Sequence, residues 1–315
     1  MSNSEYITEK RYFPSSDKGK KIYYEIYTKK DFQPKAVIQL VHGMCEYVRR
    51  YREFARFLND NGYLVVGNDH LGHGKTIESP SQQGFFAEEN GWDYVIRDID
   101  KLHDLMSEQY PGIPYVIFGH SMGSFLARTY LIKHPDKYDA AIISGTGQQN
   151  PLVVFGGYTL AKYFVKRDGP HAIGTKLNEI AFGAYNKGFD TVRTEFDWLS
   201  RDPDVVNKYI ADPLCGFVAT VSLFRDMMGG IRFISDQKNI EQMNKEKPVY
   251  FMSGAADPVG ENVKGVERAY KAFCRAGLKD VMIRLYPEGR HEMLNEINKE
   301  DVYRDILNWL NEKLA

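Results

Sequence analysis

The chain has 315 residues, a 43% apolar fraction and a formal net charge of −1. That is enough apolar material for a large core, and the near-zero charge gives no field that would draw nucleic acid or an anionic membrane. Cys45, Cys215 and Cys274 are an odd set without close spacing, so neither a disulfide framework nor a zinc motif follows, and a reducing, cytoplasmic setting fits.

Met1–Lys10 lacks the apolar stretch of a secretory leader. Tyr6–Phe13 and Lys21–Tyr27 alternate as two antiparallel strands around a turn at residues 15–19. Ala36–Val41 reads as a buried strand, Arg49–Asn61 as a helix and Tyr63–Val66 as a strand. Gly91–Tyr110 repeats Trp92, Val95, Ile96, Ile99, Leu102 and Met106 at helical spacing. A short apolar strand at 115–118 leads into Gly119-His120-Ser121-Met122-Gly123, and a helix pattern follows over Ser124–His134. Tyr138–Ser144 is again a strand.

The alternation over 36–144 implies a mostly parallel sheet with helices on both faces. It lapses over 146–236, which reads as helical and rich in Phe and Tyr, and resumes with strand Pro248–Gly254, helix Asn262–Ala276, strand Val281–Tyr286 and helix Asp301–Leu314. The expected organisation is an eight-stranded α/β core from 1–145 and 237–315, with 146–236 inserted as a helical cap or lid. The longest apolar-rich run, Pro151–Val165, is broken by Gly156, Gly157 and Lys162, short of the roughly 20 apolar residues that a membrane-crossing helix needs.

Chemistry concentrates at Gly-x-Ser-x-Gly. Between a strand and a helix, this pentapeptide is a nucleophile elbow: a sharp turn strains the serine and lifts its hydroxyl above the sheet. A serine hydroxyl needs a histidine base and a third group to orient that base. For this elbow the expected chain order is Ser, acid, His, with the partners at carboxyl ends of later strands. Asp257 follows strand 248–254, and His291 follows strand 281–286. Of the eight histidines only His291 is both late and at a strand end; Glu288 and Asp280 are spare acids. The expected oxyanion donors are the backbone N–H groups of Met122 and Met44, the latter on the loop His42-Gly43-Met44-Cys45. His42 is expected to pin that loop, and Cys45 to be a buried thiol. Asp69–Thr76 ends like a phosphate-binding loop but starts with Asp where that motif needs Gly. His70 and His73, with Asp69, suit turn and capping roles better than a metal.

Four segments carry a resemblance: 41–44 with 47–51, Asp69–Gly74, Gly119–Gly123, and Gly289-Arg290-His291-Glu292. On these the chain resembles the α/β-hydrolase superfamily, and more narrowly it is similar to the monoacylglycerol lipase and lysophospholipase-like serine hydrolases. Leu199–Leu214 is typical of the same subgroup. The resemblance implies the α/β-hydrolase fold and hydrolysis of long-chain carboxylic esters through an acyl-enzyme, without cofactor or metal. Met44 stands where a small residue is common and would narrow the acyl entrance. An apolar face on Pro151–Phe164 suits a lipid substrate and transient contact with a micelle or membrane. The same triad would serve a small-ester esterase, a peptidase or an acyltransferase. A non-catalytic hydrolase-fold binder is the alternative of another class, disfavoured by the complete Ser121, Asp257 and His291 set. Nothing in the sequence sets an oligomeric state.

Overall fold

The computed structural model describes residues 5–314; residues 1–4 of the stretch read for a leader lie outside them. One eight-stranded sheet runs in the order β1-β2-β4-β3-β5-β6-β7-β8. The strands are β1 (Tyr6–Pro14), β2 (Lys21–Lys29), β3 (Ala36–Val41), β4 (Tyr63–Asn68), β5 (Tyr115–His120), β6 (Ala140–Ser144), β7 (Val249–Gly254) and β8 (Val281–Tyr286). β2 pairs antiparallel with β1 and β4, and the pairings from β4 through β8 are parallel. This is the arrangement that the α/β-hydrolase resemblance implies.

The parallel strands are apolar without interruption because both faces are covered. Val37, Ile117, Ile143 and Phe251 point to one face, beneath α2 (Gly91–Gln109), α3 (Met122–Lys133) and α9 (Lys264–Arg275). Ile38, Phe118, Ile142 and Met252 point to the other, beneath α1 (Arg52–Asp60) and α10 (Lys299–Lys313). Gln39 intrudes on the first face but is satisfied: it donates to Ile99 O at 3.0 Å and accepts from Tyr115 Oη at 2.5 Å.

Between β6 and β7 lie α4 (Pro151–Asp168), α5 (Thr175–Phe182), α6 (Pro203–Ala211), α7 (Val221–Ser235) and the short α8 (Gln237–Ile240). α4 packs along α7. Two expectations need correction. The helix expected from Arg49 begins as a 3₁₀ turn over Val48–Tyr51, and α1 proper starts at Arg52. Within 146–236, residues 183–202 carry only 3₁₀ turns at Tyr185–Gly188 and Asp197–Leu199; side-chain packing, not helical periodicity, sets their path.

Candidate active site

The loops after β3, β5, β7 and β8 meet at one edge of the sheet, where open parallel sheets hold their ligands. Ser121 sits between β5 and α3 with φ 54° and ψ −125°. A side chain there costs about 1–3 kcal/mol of backbone strain, and the surroundings hold it. Ser121 N–H donates to Ser144 O at 3.0 Å, and Ser124 Oγ donates to Ser121 O at 2.6 Å. A Cβ on Gly123 would overlap the carbonyl oxygens of Val41 and His42. Only glycine lets α3 start this close to the end of β3, which brings the 42–46 loop beside Ser121.

In that loop the His42 Nδ1–H donates to Gly43 O at 2.7 Å, and Nε2 accepts from His70 N–H at 3.0 Å. His42 is wholly buried, and burial pushes its pKa down to about 3, so it is a neutral strut. Neither Met44 N–H nor Met122 N–H has a hydrogen-bond partner among the described residues. Cys45 is buried and its thiol is pushed up by that burial, which suits packing and not nucleophilic attack.

Asp257 and His291, 34 residues apart, meet with Oδ2 2.9 Å from Nδ1. Both are buried. Asp257 Oδ1 accepts Val259 N–H at 2.9 Å, and Ser253 Oγ lies 3.3 Å from Oδ2. Burial alone would lower the His291 pKa; the charge and hydrogen bond of Asp257 overturn that and raise it above its ordinary value. Ser121 and His291 line one cavity, and no hydrogen bond joins their side chains. The spare acids lie elsewhere: Glu288 pairs with Arg201 and Asp280 with Lys313.

Sequence reasoning missed a buried ion network. Arg50 Nη1 donates to Glu46 Oε2 and to Glu292 Oε1, and Nη2 to Glu292 Oε2, each at 2.7 Å. Glu46 Oε1 accepts Gly43 N–H at 2.6 Å and Tyr51 Oη at 2.7 Å. Burial would raise the Glu292 pKa, but Arg50 holds it at about 2. The network fastens the Met44 loop to the His291 loop. Its only trace in the sequence is charge inside two otherwise motif-like segments, Glu46–Arg50 and Glu292.

The cavity above Ser121 measures about 640 Å³. Its walls include Met44, Phe125, Val154, Leu177, Phe224 and Met227. Two acceptors among its lining residues, Gln149 Oε1 and Asn186 Oδ1, are buried without a partner. Also on α4, Leu152, Val153 and Phe155 are 80%, 62% and 59% exposed.

The other candidate sites are filled by the protein itself. Asp69 accepts from Val48 N–H at 2.9 Å and Lys75 N–H at 2.7 Å, so a carboxylate sits where a phosphate loop would hold its anion. His73 Nδ1 bonds Leu71 O at 2.9 Å. Asp100, His103 and Asp104 bring ligand atoms within 4.8 Å of one another, but Lys137 Nζ stands 2.8 Å from both carboxylates.

The family model described as "Serine aminopeptidase, S33" matches residues 32–298. The chain belongs to that family. A monoacylglycerol lipase of Mycolicibacterium smegmatis is 25% identical over 93% of each chain, and the Homo sapiens monoglyceride lipase is 25% identical over 92% of this chain and 86% of its own. A thermostable carboxyl esterase of Bacillus coagulans, solved with glycerol, superposes with a TM-score of 0.90 at 28% identity, covering 98% of this chain and 99% of its own. No helix among the described residues is long and apolar enough to cross a membrane.

Proposed function

We propose that this member of the family is a serine hydrolase of long-chain carboxylic esters, with monoacylglycerols as the substrate class. The observation that carries the reading is the 2.9 Å contact of Asp257 with His291, in a cavity shared with the strained Ser121. Ser121 Oγ attacks the ester carbonyl, and His291 Nε2 takes its proton. Asp257 holds the Nδ1–H tautomer and stabilises the imidazolium. The free N–H groups of Met44 and Met122 receive the oxyanion, each worth roughly 10²–10³ in rate. The imidazolium then protonates the departing alcohol, and water, deprotonated by the same base, releases the fatty acid. Substrate in the cavity draws hydroxyl and imidazole into hydrogen-bond distance, as catalytic contacts commonly tighten in the bound complex.

Substrate class follows from the walls. Each buried CH₂ of an acyl chain contributes about 0.8 kcal/mol, and the apolar lining offers that burial. Gln149 Oε1 and Asn186 Oδ1 are acceptors without donors; the hydroxyls of a glycerol head group would supply them. The names of the relatives point the same way. Residues 146–236 act as a lid on a core formed by 1–145 and 237–315, and the exposed Leu152, Val153 and Phe155 on α4 touch the lipid surface that delivers substrate. The free Cys45, Cys215 and Cys274 support a cytoplasmic setting.

The family description favours one competitor, an aminopeptidase. A hydrolysis series over p-nitrophenyl esters and monoacylglycerols of rising chain length, run beside aminoacyl p-nitroanilides, tests the reading. Rates should rise with chain length and the anilides should be inert. A maximum at acetyl or butyryl, or preferred cleavage of the anilides, overturns it.

A further inference from the structure

Arg128 lies midway along α3, two turns beyond Ser121, and is wholly buried. An unpaired cation in a core is costly, yet no carboxylate pairs with this one among the described residues. Its two Nη groups donate to four neutral oxygens, while the buried Nε has no partner among the described residues. Nη1 donates to Thr146 Oγ1 at 3.4 Å and to Gly147 O at 2.9 Å; Nη2 donates to Gln148 Oε1 at 2.8 Å and to Ile234 O at 3.2 Å. The guanidinium also lies over the Phe273 ring, 5.7 Å from its centroid.

The identity of these acceptors is what matters. Residues 146–148 are where the chain leaves β6 for the inserted segment. Ile234 is in the last turn of α7, just before the chain returns towards β7. Its carbonyl is one of those that a helix C-terminus leaves without a helical partner, and the negative end of the helix dipole faces the cation there. Backbone partial charges thus stand in for the missing counter-ion. Burial lowers the Arg128 pKa only to about 9, so the group is still charged at neutral pH.

The first of these two ends also backs the acid loop. Gln149 Nε2 donates to Val259 O at 3.4 Å, Arg268 Nε donates to Gln148 O at 2.5 Å, and Val259 N–H is the donor to Asp257 Oδ1. A single side chain therefore fixes where the chain departs, where it returns and, through Val259, the seat of Asp257.

We infer that Arg128 is a positioning residue that clamps both ends of the 146–236 segment to the helix following Ser121, so that movement of this segment is confined to the residues between the two ends. It touches no substrate. The inference leans on the Ser121 hydrolase reading for its kinetic arm alone.

The test is hydrogen exchange on the full chain, comparing wild type with Arg128→Met and Arg128→Lys. In Arg128→Met, peptides spanning 145–150 and 231–237 should exchange about tenfold faster, the consequence of losing charge-assisted hydrogen bonds, while α1 and α10 peptides keep wild-type rates. Arg128→Lys should fall between. In the kinetic arm, KM for a long-chain monoacylglycerol should rise more than KM for p-nitrophenyl acetate. Wild-type exchange at both ends, or equal acceleration at both ends and in α10, overturns the inference, the second outcome marking a general stability role. Should Arg128→Met fail to fold, the Thr146→Val/Gln148→Leu pair removes two acceptors and carries the same comparison. A wild-type enzyme without esterase activity, but with the expected exchange pattern, would count against the hydrolase reading and leave the clamp standing.

Discussion

The two walls of the cavity are built on opposite principles. The floor, at the carboxyl ends of the strands, is held by directional bonds between buried groups: Asp257 to His291, Glu46 to Arg50 to Glu292, and His42 to the backbone on either side of it. The roof, from α4 to α7, is pinned at its ends by Arg128 but between them packs mainly through apolar side chains, and α4 leaves large side chains in solvent. Directional bonds hold one geometry; non-directional burial tolerates many. A reaction that needs atoms within a few tenths of an ångström fits the floor, and a flexible acyl chain fits the roof.

Substitutions should separate these principles, the largest effect coming from the floor. Ser121→Ala should remove on the order of 10⁶ in kcat with little change in melting temperature, because alanine accepts the same backbone. Ester hydrolysis and a thermal melt on one sample check both. Asp257→Asn should cost on the order of 10⁴ by presenting the wrong tautomer.

The pH profile tests the same pair. The base works as neutral imidazole, so kcat/KM should rise with pH through a midpoint above 6.5, the direction in which Asp257 shifts His291. Folding stability runs the other way. The pair's contribution is full below the unfolded histidine pKa and is lost as pH rises through the folded one. A profile flat from pH 5 to 8 would remove His291 from its role.

Arg50→Met should cost about 3–5 kcal/mol of stability, since it strands Glu46 and Glu292 as buried charges. Adding Glu46→Gln and Glu292→Gln should return much of that loss while activity stays low, because the Met44 and His291 loops are no longer fastened together. Urea unfolding of the single and triple variants measures it. The smallest effect belongs to the roof. Phe155→Ser should change stability by less than about 0.5 kcal/mol, weaken co-sedimentation with phosphatidylcholine vesicles, and leave p-nitrophenyl acetate hydrolysis unchanged. Equal vesicle binding by variant and wild type would break the contrast.

How much of this could be read beforehand followed the range of the interactions. Gly119–Gly123 was legible because its signals are local: a strand before, a helix after, and glycines where only glycine fits. Asp257 and His291 were legible from their places after β7 and β8, and the structure brings them together. The Arg50–Glu292 bond was not, because it joins residues 242 apart and arises only when the sheet closes. Composition predicts helix over 183–202, yet Phe182, Tyr185 and Trp198 pack against one another beside His291, and that packing overrides local preference. Arg128 carries no comparable signal in its helix pattern, because its acceptors come together only with the β6 and α7 ends in place.

Glu292 gives the site an unequal response to acid. Its carboxylate is held at about 2, so its bond to Arg50 contributes above the ordinary glutamate range and is lost only near that value. The neighbouring imidazole takes up its proton several pH units earlier. Mild acidification should therefore silence the enzyme while its loops stay assembled, and a return to neutral buffer should restore turnover without any refolding step.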